Sequence, residues 1–293
     1  MIEIPMKKPP MRLLASCLLA LAGLLPWHPA PAAESLDSCA GFIDAVPATI
    51  TRQGTWCLRH DLSTAVASGA AITVAANNVA IDCNHFKLGG LAAGDGSTTV
   101  GIKATNRQNA SVRHCAIRGF HTGIDLTGSG GGHLVEDNRI DQSLVYGIRV
   151  SGDHNRVHGN RVFDTGGVAV SSIYAIWGTA DMIDNIVSGM TTTYAGSDPQ
   201  LYGIFFFGNG TRAHGNRVRG QRVANTNAEA TGVRAGGVRQ SISGNHVAVV
   251  PAGEGWGLVG AGAGTTFCRD NHVAGYVFDG LRDCDDKGGN AIH

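Results

Sequence analysis

The chain is poor in charge and lacks the motifs of the commonest enzyme folds. Only 16% of its 293 residues are charged, against the usual quarter, and 6% are aromatic. It contains no phosphate-binding loop, nucleophile elbow or dinucleotide-binding fingerprint. Apolar residues do not recur at the spacings of 3, 4 and 7 that amphipathic helices require. These absences argue against a coiled coil, a helical repeat protein and a nucleotide-binding site.

Long apolar runs are also scarce, and the longest, residues 13–25, lies near the N-terminus. Basic residues precede it, and Ala30-Pro31-Ala32 follows with small residues at the two positions that a signal peptidase reads. A transmembrane anchor would need about 20 apolar residues, and a lipoprotein signal would need an apolar run before Cys17. We therefore predict a Sec-type signal peptide over 1–32, with cleavage before Ala33. The mature protein would be secreted or periplasmic, with no membrane attachment.

Charge of either sign is nearly balanced in the predicted mature chain. Removing Glu3, Lys7, Lys8 and Arg12 leaves 20 basic and 22 acidic side chains of the 23 of each in the full sequence. A nucleic-acid-binding protein normally carries a strongly basic footprint, so nucleic acid is not an expected partner. Glycine, with 42 residues, has about twice its average share and indicates a chain that turns often.

Cysteine usage agrees with export. No Cys-x-x-Cys pair occurs, which argues against a metal site, and an even number of cysteines remains after Cys17 is removed with the signal. Proximity along the chain favours three disulfides among the 15 connectivities that six cysteines allow. These are Cys39–Cys57, Cys83–Cys115 and Cys268–Cys284.

An internal repeat is the most informative feature of the sequence. A six-residue pattern, apolar at both ends with Asn at its fourth position, occurs eight times, and in its second copy Cys115 replaces the Asn. The asparagines are Asn84, Asn138, Asn160, Asn185, Asn216, Asn245 and Asn271. A Gly followed by Ile, Val or Leu lies between successive copies, as in Gly123-Ile124 and Gly147-Ile148. Eight copies in strict alternation indicate a solenoid.

The variable period of this repeat, never below 22 residues, favours short strands with turns of any length. We predict an all-β fold, a single-domain right-handed parallel β-helix of about eight coils with three short strands each. The expected organisation is a signal peptide over 1–32, an N-terminal cap with leading strands over 33–75, and the β-helix with a C-terminal cap over 76–293. A short helix near residues 35–46 would suit the cap.

The asparagines are expected to form a structural ladder. The apolar ends of each pattern would point inward from two successive strands, with the Asn at the sharp turn between them. Asn tolerates left-handed backbone angles, and stacked amides can bond from coil to coil. This arrangement would also bring Cys83 and Cys115 within disulfide reach.

The repeats resemble those of bacterial right-handed parallel β-helix proteins of the pectin-lyase-like superfamily, especially the NosD-like and the carbohydrate-binding and sugar-hydrolase repeat proteins. The resemblance rests on Gly-Thr-Trp-Cys-Leu-Arg-His-Asp-Leu at 54–62, Asn-Asn-Val-Ala-Ile-Asp-Cys-Asn at 77–84, Val-Arg-His-Cys-Ala-Ile-Arg-Gly-Phe at 112–120, and the later Gly-Asn turns. It covers essentially the whole mature chain. These motifs specify the fold far more than an activity.

The resemblance implies that substrate lies against the first strand of each coil, beside the long turns that follow the third strand. The residue after each inward Ile, Val or Leu would then face out. This row is Lys103, Asp125, Arg149, Ala169, Phe205, Arg234, Val259 and Arg282. The longest connections, 188–202 and 219–231, would flank it.

Aromatic rings suit sugar faces and guanidinium groups suit carboxylates or sulfates, so this region is the candidate site for an acidic polysaccharide. The predicted substrate-binding residues are Arg149, Phe205, Arg234, Tyr194, Tyr202 and Asp198. If the protein is a polysaccharide lyase, epimerase or glycoside hydrolase, the candidate catalytic residues are Arg149, Arg234, Lys103 and Asp125.

The sequence leaves the choice between enzyme and binder open. No cofactor is expected, because calcium needs clustered acids and Asp125 stands alone on its row. A glycoside hydrolase needs two carboxylates placed together, and the row supplies one. The alternative is a non-catalytic structural or adhesion solenoid. The oligomeric state is not predicted.

Overall fold

Short strands joined by turns make up the described part of the chain. The computed structural model describes residues 38–196, 199–222, 229–248, 254–262, 264–276 and 278–293. The predicted signal peptide, 1–32, lies outside the described residues. Across the described ranges, no helix has the length and apolar character needed to cross a bilayer. One short 3₁₀ helix occurs at Leu91–Ala93.

The strands, numbered β1–β31 in chain order, form three parallel sheets of 10, 11 and 10 strands. Sheet 1 contains β2 (Ala48–Ile50), β5 (Ala70–Val74), β8 (Val100–Thr105), β11 (Thr122–Thr127), β14 (Tyr146–Val150), β17 (Ser172–Gly178), β20 (Gln200–Phe206), β23 (Glu229–Ala235), β26 (Glu254–Val259) and β29 (Leu281–Arg282). Sheet 2 contains β1 (Gly41–Phe42), β3 (Gly54–Cys57), β6 (Val79–Asp82), β9 (Ala110–Arg113), β12 (Leu134–Glu136), β15 (Arg156–His158), β18 (Asp181–Ile183), β21 (Arg212–His214), β24 (Gln240–Ser243), β27 (Thr266–Arg269) and β30 (Asp285–Asp286). Sheet 3 contains β4 (Leu62–Ser63), β7 (Lys87–Gly89), β10 (Ala116–Arg118), β13 (Arg139–Asp141), β16 (Arg161–Phe163), β19 (Ile186–Ser188), β22 (Arg217–Arg219), β25 (His246–Ala248), β28 (His272–Ala274) and β31 (Ala291–Ile292).

Each coil contributes one strand to each sheet, which is the predicted parallel β-helix. The eight predicted coils are present, one for each sheet 2 strand from β6 to β27, and pairing continues beyond them at both ends. The leading segment 41–74 supplies β1–β5, which pair in register with one another and with the coils that follow. The short helix expected near 35–46 does not extend through that range, because Gly41–Phe42 pairs as a strand with β3.

The core runs along the axis of the solenoid and is built from one apolar residue of each short strand. In the coil of β12 and β13, Val135 and Ile140 are fully buried on either side of the Asn138 turn. Ile148 then closes that coil from sheet 1, and the same pattern repeats in the neighbouring coils. Because strands of successive coils pair in register, every inward residue packs on its counterpart one coil away.

The asparagines stack inside the turn between sheets 2 and 3. The Oδ1 atom of Asn160 accepts the backbone N–H and the side-chain amide of Asn138, at 3.1 and 3.0 Å. Asn160 donates in the same way to Asn185, at 3.0 and 3.1 Å. The series continues through Asn216, Asn245, Asn271 and finally Asn290. From Asn138 onward, each amide thus satisfies buried backbone groups of the preceding coil.

The left-handed residue of this turn is not generally the asparagine. Asn84 has a positive φ of 47°, but from the second coil onward the residue one position earlier adopts it, as in Asp137 (51°), Gly159 (67°) and Asp184 (52°). Asp and Gly are the residue types that accept this conformation most readily. The Asn column is therefore required for its hydrogen bonds, and the Asp or Gly before it for the backbone angle.

The Gly column of sheet 1 is explained by lack of space. A Cβ on Gly232 would lie 2.2 Å from Cγ1 of Val247 and 2.6 Å from the carbonyl oxygen of Gly257. The first atom belongs to the core residue of sheet 3 in the same coil, and the second to the backbone of the next coil. Only glycine lets the two sheets approach this closely.

The three disulfides have the pairing that chain proximity favours: Cys39–Cys57, Cys83–Cys115 and Cys268–Cys284. The outer two close segments of 18 and 16 residues near the ends of the solenoid. The central bridge joins adjacent coils, and both of its cysteines are buried. Three disulfides in one chain indicate an oxidising compartment.

Candidate functional site

The outer face of sheet 1 carries a ladder of tyrosines. Tyr146, Tyr174 and Tyr202 occupy the same position on β14, β17 and β20, because these strands pair in register. The ring centroids of Tyr146 and Tyr174 are 5.1 Å apart with planes 3° from parallel, and those of Tyr174 and Tyr202 are 4.9 Å apart at 12°. This spacing is the distance between neighbouring strands, so the stacking follows directly from the coil repeat.

A second aromatic group lies beside the ladder. Phe205 is 5.3 Å from Tyr202, measured between ring centroids, and Trp177 packs edge-on against Phe207 at 4.7 Å. Phe205 also contacts Phe207 at 6.0 Å. We call the six residues Tyr146, Tyr174, Tyr202, Trp177, Phe205 and Phe207 the aromatic platform. All except the buried Tyr202 are partly exposed.

Two tyrosines of the platform, Tyr174 and Tyr202, remain neutral hydrogen-bonding groups. Burial is the main cause that raises the pKa of Tyr174 and of Tyr202 above the usual 10.0. The Tyr202 hydroxyl donates to Oε1 of Gln200 at 2.5 Å, and Gln200 donates to Oε2 of Glu229 at 3.3 Å. A chain of polar groups therefore borders the aromatic surface at β20 and β23.

Two arginines stand at opposite ends of the platform in different environments. Arg234 lies over both Tyr202 and Phe205, with Cζ at 5.6 and 5.5 Å from the ring centroids, and it donates to the Tyr202 hydroxyl at 3.3 Å. Arg149 lies 5.1 Å from the Tyr146 ring and donates two bonds to Asp125, at 3.1 and 2.5 Å. Hydrogen bonding to Asp125 is the main cause that raises the pKa of Arg149.

These contacts limit what the candidate catalytic residues can do. Asp125 is 2% exposed, and its oxygens accept from Arg149 and from the Thr127 hydroxyl. A carboxylate held in this way is a poor acid or nucleophile, and a guanidinium with a raised pKa is a poor base. Lys103 pairs in register with Asp125 through the backbone, and the described residues include no ion pair between their side chains. Arg234, by contrast, keeps its charge against aromatic rings.

The predicted substrate-binding residues divide into three groups. Arg149, Phe205, Arg234 and Tyr202 lie together on the outer face of sheet 1. Tyr194 lies in the connection before β20. Its ring packs against Gly196, where a Cβ atom on the glycine would lie 2.5 Å from Cζ of Tyr194. Asp198 lies outside the described residues.

The predicted outward row is wrong at one coil. Ala169 does not occupy it, because β17 pairs through Ile176, which places Trp177 between Arg149 and Phe205. Gly167-Val168 belongs instead to the preceding turn, where Gly167 N–H donates to the Thr191 carbonyl. A sequence feature that marks the correct register is a Tyr two residues before the inward Ile. It occurs at Tyr146, Tyr174 and Tyr202. Aligning on it would have found the platform.

None of the clefts found is lined by a residue of the aromatic platform. Among the clefts found, one of about 520 Å³ borders the long connection through Ser188, Gly189 and Thr191, on the side that faces sheet 3. In the described ranges, no three His, Cys, Asp or Glu side chains form a group able to hold a metal ion.

Three stacked parallel sheets with an asparagine turn in each coil define a parallel β-solenoid. Residues 60–250 match the family described as "Right handed beta helix region", which covers more than half of the chain. The protein belongs to this right-handed β-helix family.

Similar solved structures include the Dettilon tailspike protein, with 15% identity and a TM-score of 0.46, covering 86% of this chain and 60% of that one. Another is the catalytic domain of a GH87 alpha-1,3-glucanase in complex with tetrasaccharides, with 12% identity and a TM-score of 0.35, covering 87% of this chain and 60% of that one. The chain thus spans less than two thirds of either protein. No curated protein matches it significantly.

Proposed function

We propose that the protein is exported, with its signal peptide removed before Ala33, and binds a polysaccharide along the outer face of sheet 1. The observation that carries this proposal is the aromatic platform. The exposed edges of the stacked tyrosines, together with Trp177, Phe205 and Phe207, form an apolar strip that suits the apolar C–H surfaces of sugar rings, whose hydroxyls would meet the polar groups along its border. The three disulfides support the oxidising compartment that export requires.

Arginines beside the platform favour a glycan that carries carboxylate or sulfate groups. Arg234 has its guanidinium over Tyr202 and Phe205, so an acidic sugar stacked there would meet a cation without displacing an existing ion pair. Arg149 is already paired with Asp125 and would contribute through its remaining N–H groups.

Asp125 and Glu229 are too far apart to act together as a hydrolytic pair, whereas Glu229 has Glu254 beside it through backbone pairing on the next coil. A pair of hydrolytic carboxylates is about 5–9.5 Å apart. Asp125 and Glu229 lie on β11 and β23, four coils apart in sheet 1, which is about 19 Å along the axis. A lyase or epimerase remains the enzymatic alternative, with Arg234 to neutralise a uronate carboxylate. A structural or adhesion solenoid without glycan affinity is the non-enzymatic one.

The decisive experiment compares two matched variants, Phe205→Ala on the platform and Phe267→Ala on sheet 2. Both remove one phenyl ring from an outer face, and Phe267 is 38% exposed. The titrated glycans are neutral, uronate-bearing and sulfated, and binding is followed by tryptophan fluorescence, to which Trp177 contributes together with Trp56 and Trp256. We expect Phe205→Ala to weaken binding of the preferred glycan about 5- to 10-fold and Phe267→Ala to leave it unchanged.

Two results would reject the proposal: no glycan is retained, or both phenylalanine variants lose equal affinity. A parallel assay for new unsaturated or reducing sugar ends separates an enzyme from a binder. Product formation that Arg234→Gln abolishes would favour the lyase or epimerase.

A further inference from the structure

The outer face of sheet 3 carries an excess of positive charge. Its strands are mostly three residues long with a buried central residue, so the first and third residues face out. The basic residues at these positions are Lys87, Arg118, Arg139, Arg161, Arg217 and Arg219. Asp141 is the one acidic residue on the described strands of this sheet.

The N-terminal part of this face is partly neutralised. Nζ of Lys87 is 3.5 Å from a carboxylate oxygen of Asp61. Arg118 and Arg139 lie 3.9 and 3.6 Å from the carboxylate of Asp141, one from each side.

In the described part of the chain, the remainder of this face, from β16 onward, carries no such ion pairs. Arg161, Arg217 and Arg219 are exposed, as is Arg222 in the turn after β22. We call these four residues the arginine face. Among the described residues, none of their side chains makes an ion pair or a hydrogen bond.

Sheet 2 shows that this excess is not a general property of the solenoid. On its outer face, two arginines have carboxylates on the neighbouring coil: Arg113 is 2.8 Å from Asp82, and Arg212 is 3.1 Å from Asp181, whereas Arg156 has no ion pair among the described residues. Such cross-coil pairs remove the local field, whereas unpaired arginines on one face add their potentials. The arginine face is therefore a region where a bound anion would contact arginines that have no carboxylate partner among the described residues.

This face is also concave. Arg217 and Arg219 flank Val218 on one strand, about 7 Å apart, and line a cleft of about 380 Å³ together with His246. An adjoining cleft of about 520 Å³ shares Arg219 and adds Arg222. Asp164 lines the far side of the second cleft, two coils from Arg219, or about 10 Å along the axis.

We propose that the arginine face is a second binding surface, for the carboxylate or sulfate groups of an acidic glycan, separate from the aromatic platform on sheet 1. Arginine forks bind both groups through paired N–H donors, and several on one surface favour a repeating anion over a single ion. A glycan is the chosen occupant because the disulfides indicate an oxidising compartment. The formal net charge of zero disfavours nucleic acid.

The test uses the mature, disulfide-bonded protein with dextran sulfate and polygalacturonate as probes and neutral dextran as the blank. The variant is Arg217→Gln with Arg219→Gln. Its matched control is Arg118→Gln with Arg139→Gln, which removes the same charge from the same sheet at two arginines that share the carboxylate of Asp141. We expect the first pair to weaken polyanion binding about tenfold or more and to flatten its salt dependence. The control pair should change affinity less than about twofold.

Equal losses in both double variants would overturn the proposal, because they would indicate a general charge effect. Tighter binding to anionic phospholipid vesicles or to duplex DNA would overturn the choice of a glycan. Phe205→Ala separates this proposal from that for sheet 1. If it abolishes polyanion binding while Arg217→Gln with Arg219→Gln does not, the arginine face is rejected and the platform stands. If the arginine variant alone loses polyanion affinity, the arginine face stands whatever the platform binds.

Discussion

Truncating one rung of the asparagine ladder, Asn216→Ala, tests whether the ladder stabilises the solenoid. The Asn216 side chain accepts from the backbone N–H and the amide of Asn185, at 2.9 and 3.0 Å. It donates to the Met182 carbonyl at 2.8 Å and to Oδ1 of Asn245 at 2.9 Å. Alanine leaves the buried Asn185 N–H and the Met182 carbonyl without this partner. At about 1–3 kcal/mol for each of these two orphaned groups, the free energy of unfolding should fall by about 2–6 kcal/mol.

Two controls set the scale. Asn209, on the preceding turn of the same coil, is exposed, and Asn209→Ala should change stability by less than about 0.5 kcal/mol. Asn84, at the start of the ladder, is only half-buried and its side chain donates one bond, to the Leu58 carbonyl at 2.9 Å. Asn84→Ala should therefore cost about 1 kcal/mol.

The assay is equilibrium denaturation with oxidised disulfides, followed by both circular dichroism and tryptophan fluorescence. Two probes are needed because a solenoid can unfold in parts, and a single free energy requires coincident transitions. The reasoning is refuted if Asn216→Ala and Asn209→Ala unfold at the same denaturant concentration with equal slopes.

Two further predictions concern glycine and histidine. Gly232→Ala should lower the free energy of unfolding by about 1–3 kcal/mol or prevent folding, because its Cβ would overlap Val247 and a backbone carbonyl. Gly96→Ala, where nothing lies within 4 Å, should have no effect in the same denaturation experiment. Burial, the main cause, lowers the pKa of His133 from 6.5, and its Nδ1 accepts the Ala110 N–H at 3.2 Å. The unfolded state then binds more protons, so this contribution to stability is complete above about pH 6.5 and decreases as pH falls through the lowered value. Thermal melts at about pH 7.5 and about pH 5 should differ less for His133→Asn than for the wild type; an equal difference would contradict this assignment.

The fold could be predicted because the contacts between successive coils of a solenoid recur at equivalent positions of a sequence repeat. Asn160, Asn185 and Asn216 recur at the same point of each coil, since each amide must meet the one above it. Gly123 and Gly147 recur because each coil has the same shortage of space beside sheet 3. Disulfide pairing could be predicted for a related reason, since the bonded cysteines lie within one or two coils along the chain.

The site could be predicted only in part. Turns of unequal length separate the strands, so equivalent positions in neighbouring coils cannot be assigned by counting residues. The turn between β16 and β17 contains Gly167-Val168, which mimics the sheet 1 motif. Counting from Asn160 therefore assigned Ala169 to a position that Trp177 holds, and the middle of the platform was missed. Pairing of charges was equally hidden: Asp125 and Arg149 were predicted on one row, but only side-chain geometry makes them a closed ion pair.

The sequence by itself determined that the chain forms stacked parallel coils with an asparagine in nearly every turn, because identical local requirements repeat along it. Tertiary structure alone decided which outward side chains become neighbours, since that depends on register between coils separated by turns of unequal length. It placed Tyr146, Tyr174 and Tyr202 in one stack and left Arg217 and Arg219 without a carboxylate partner in the ranges that the structure describes. Both proposed binding surfaces are products of that register.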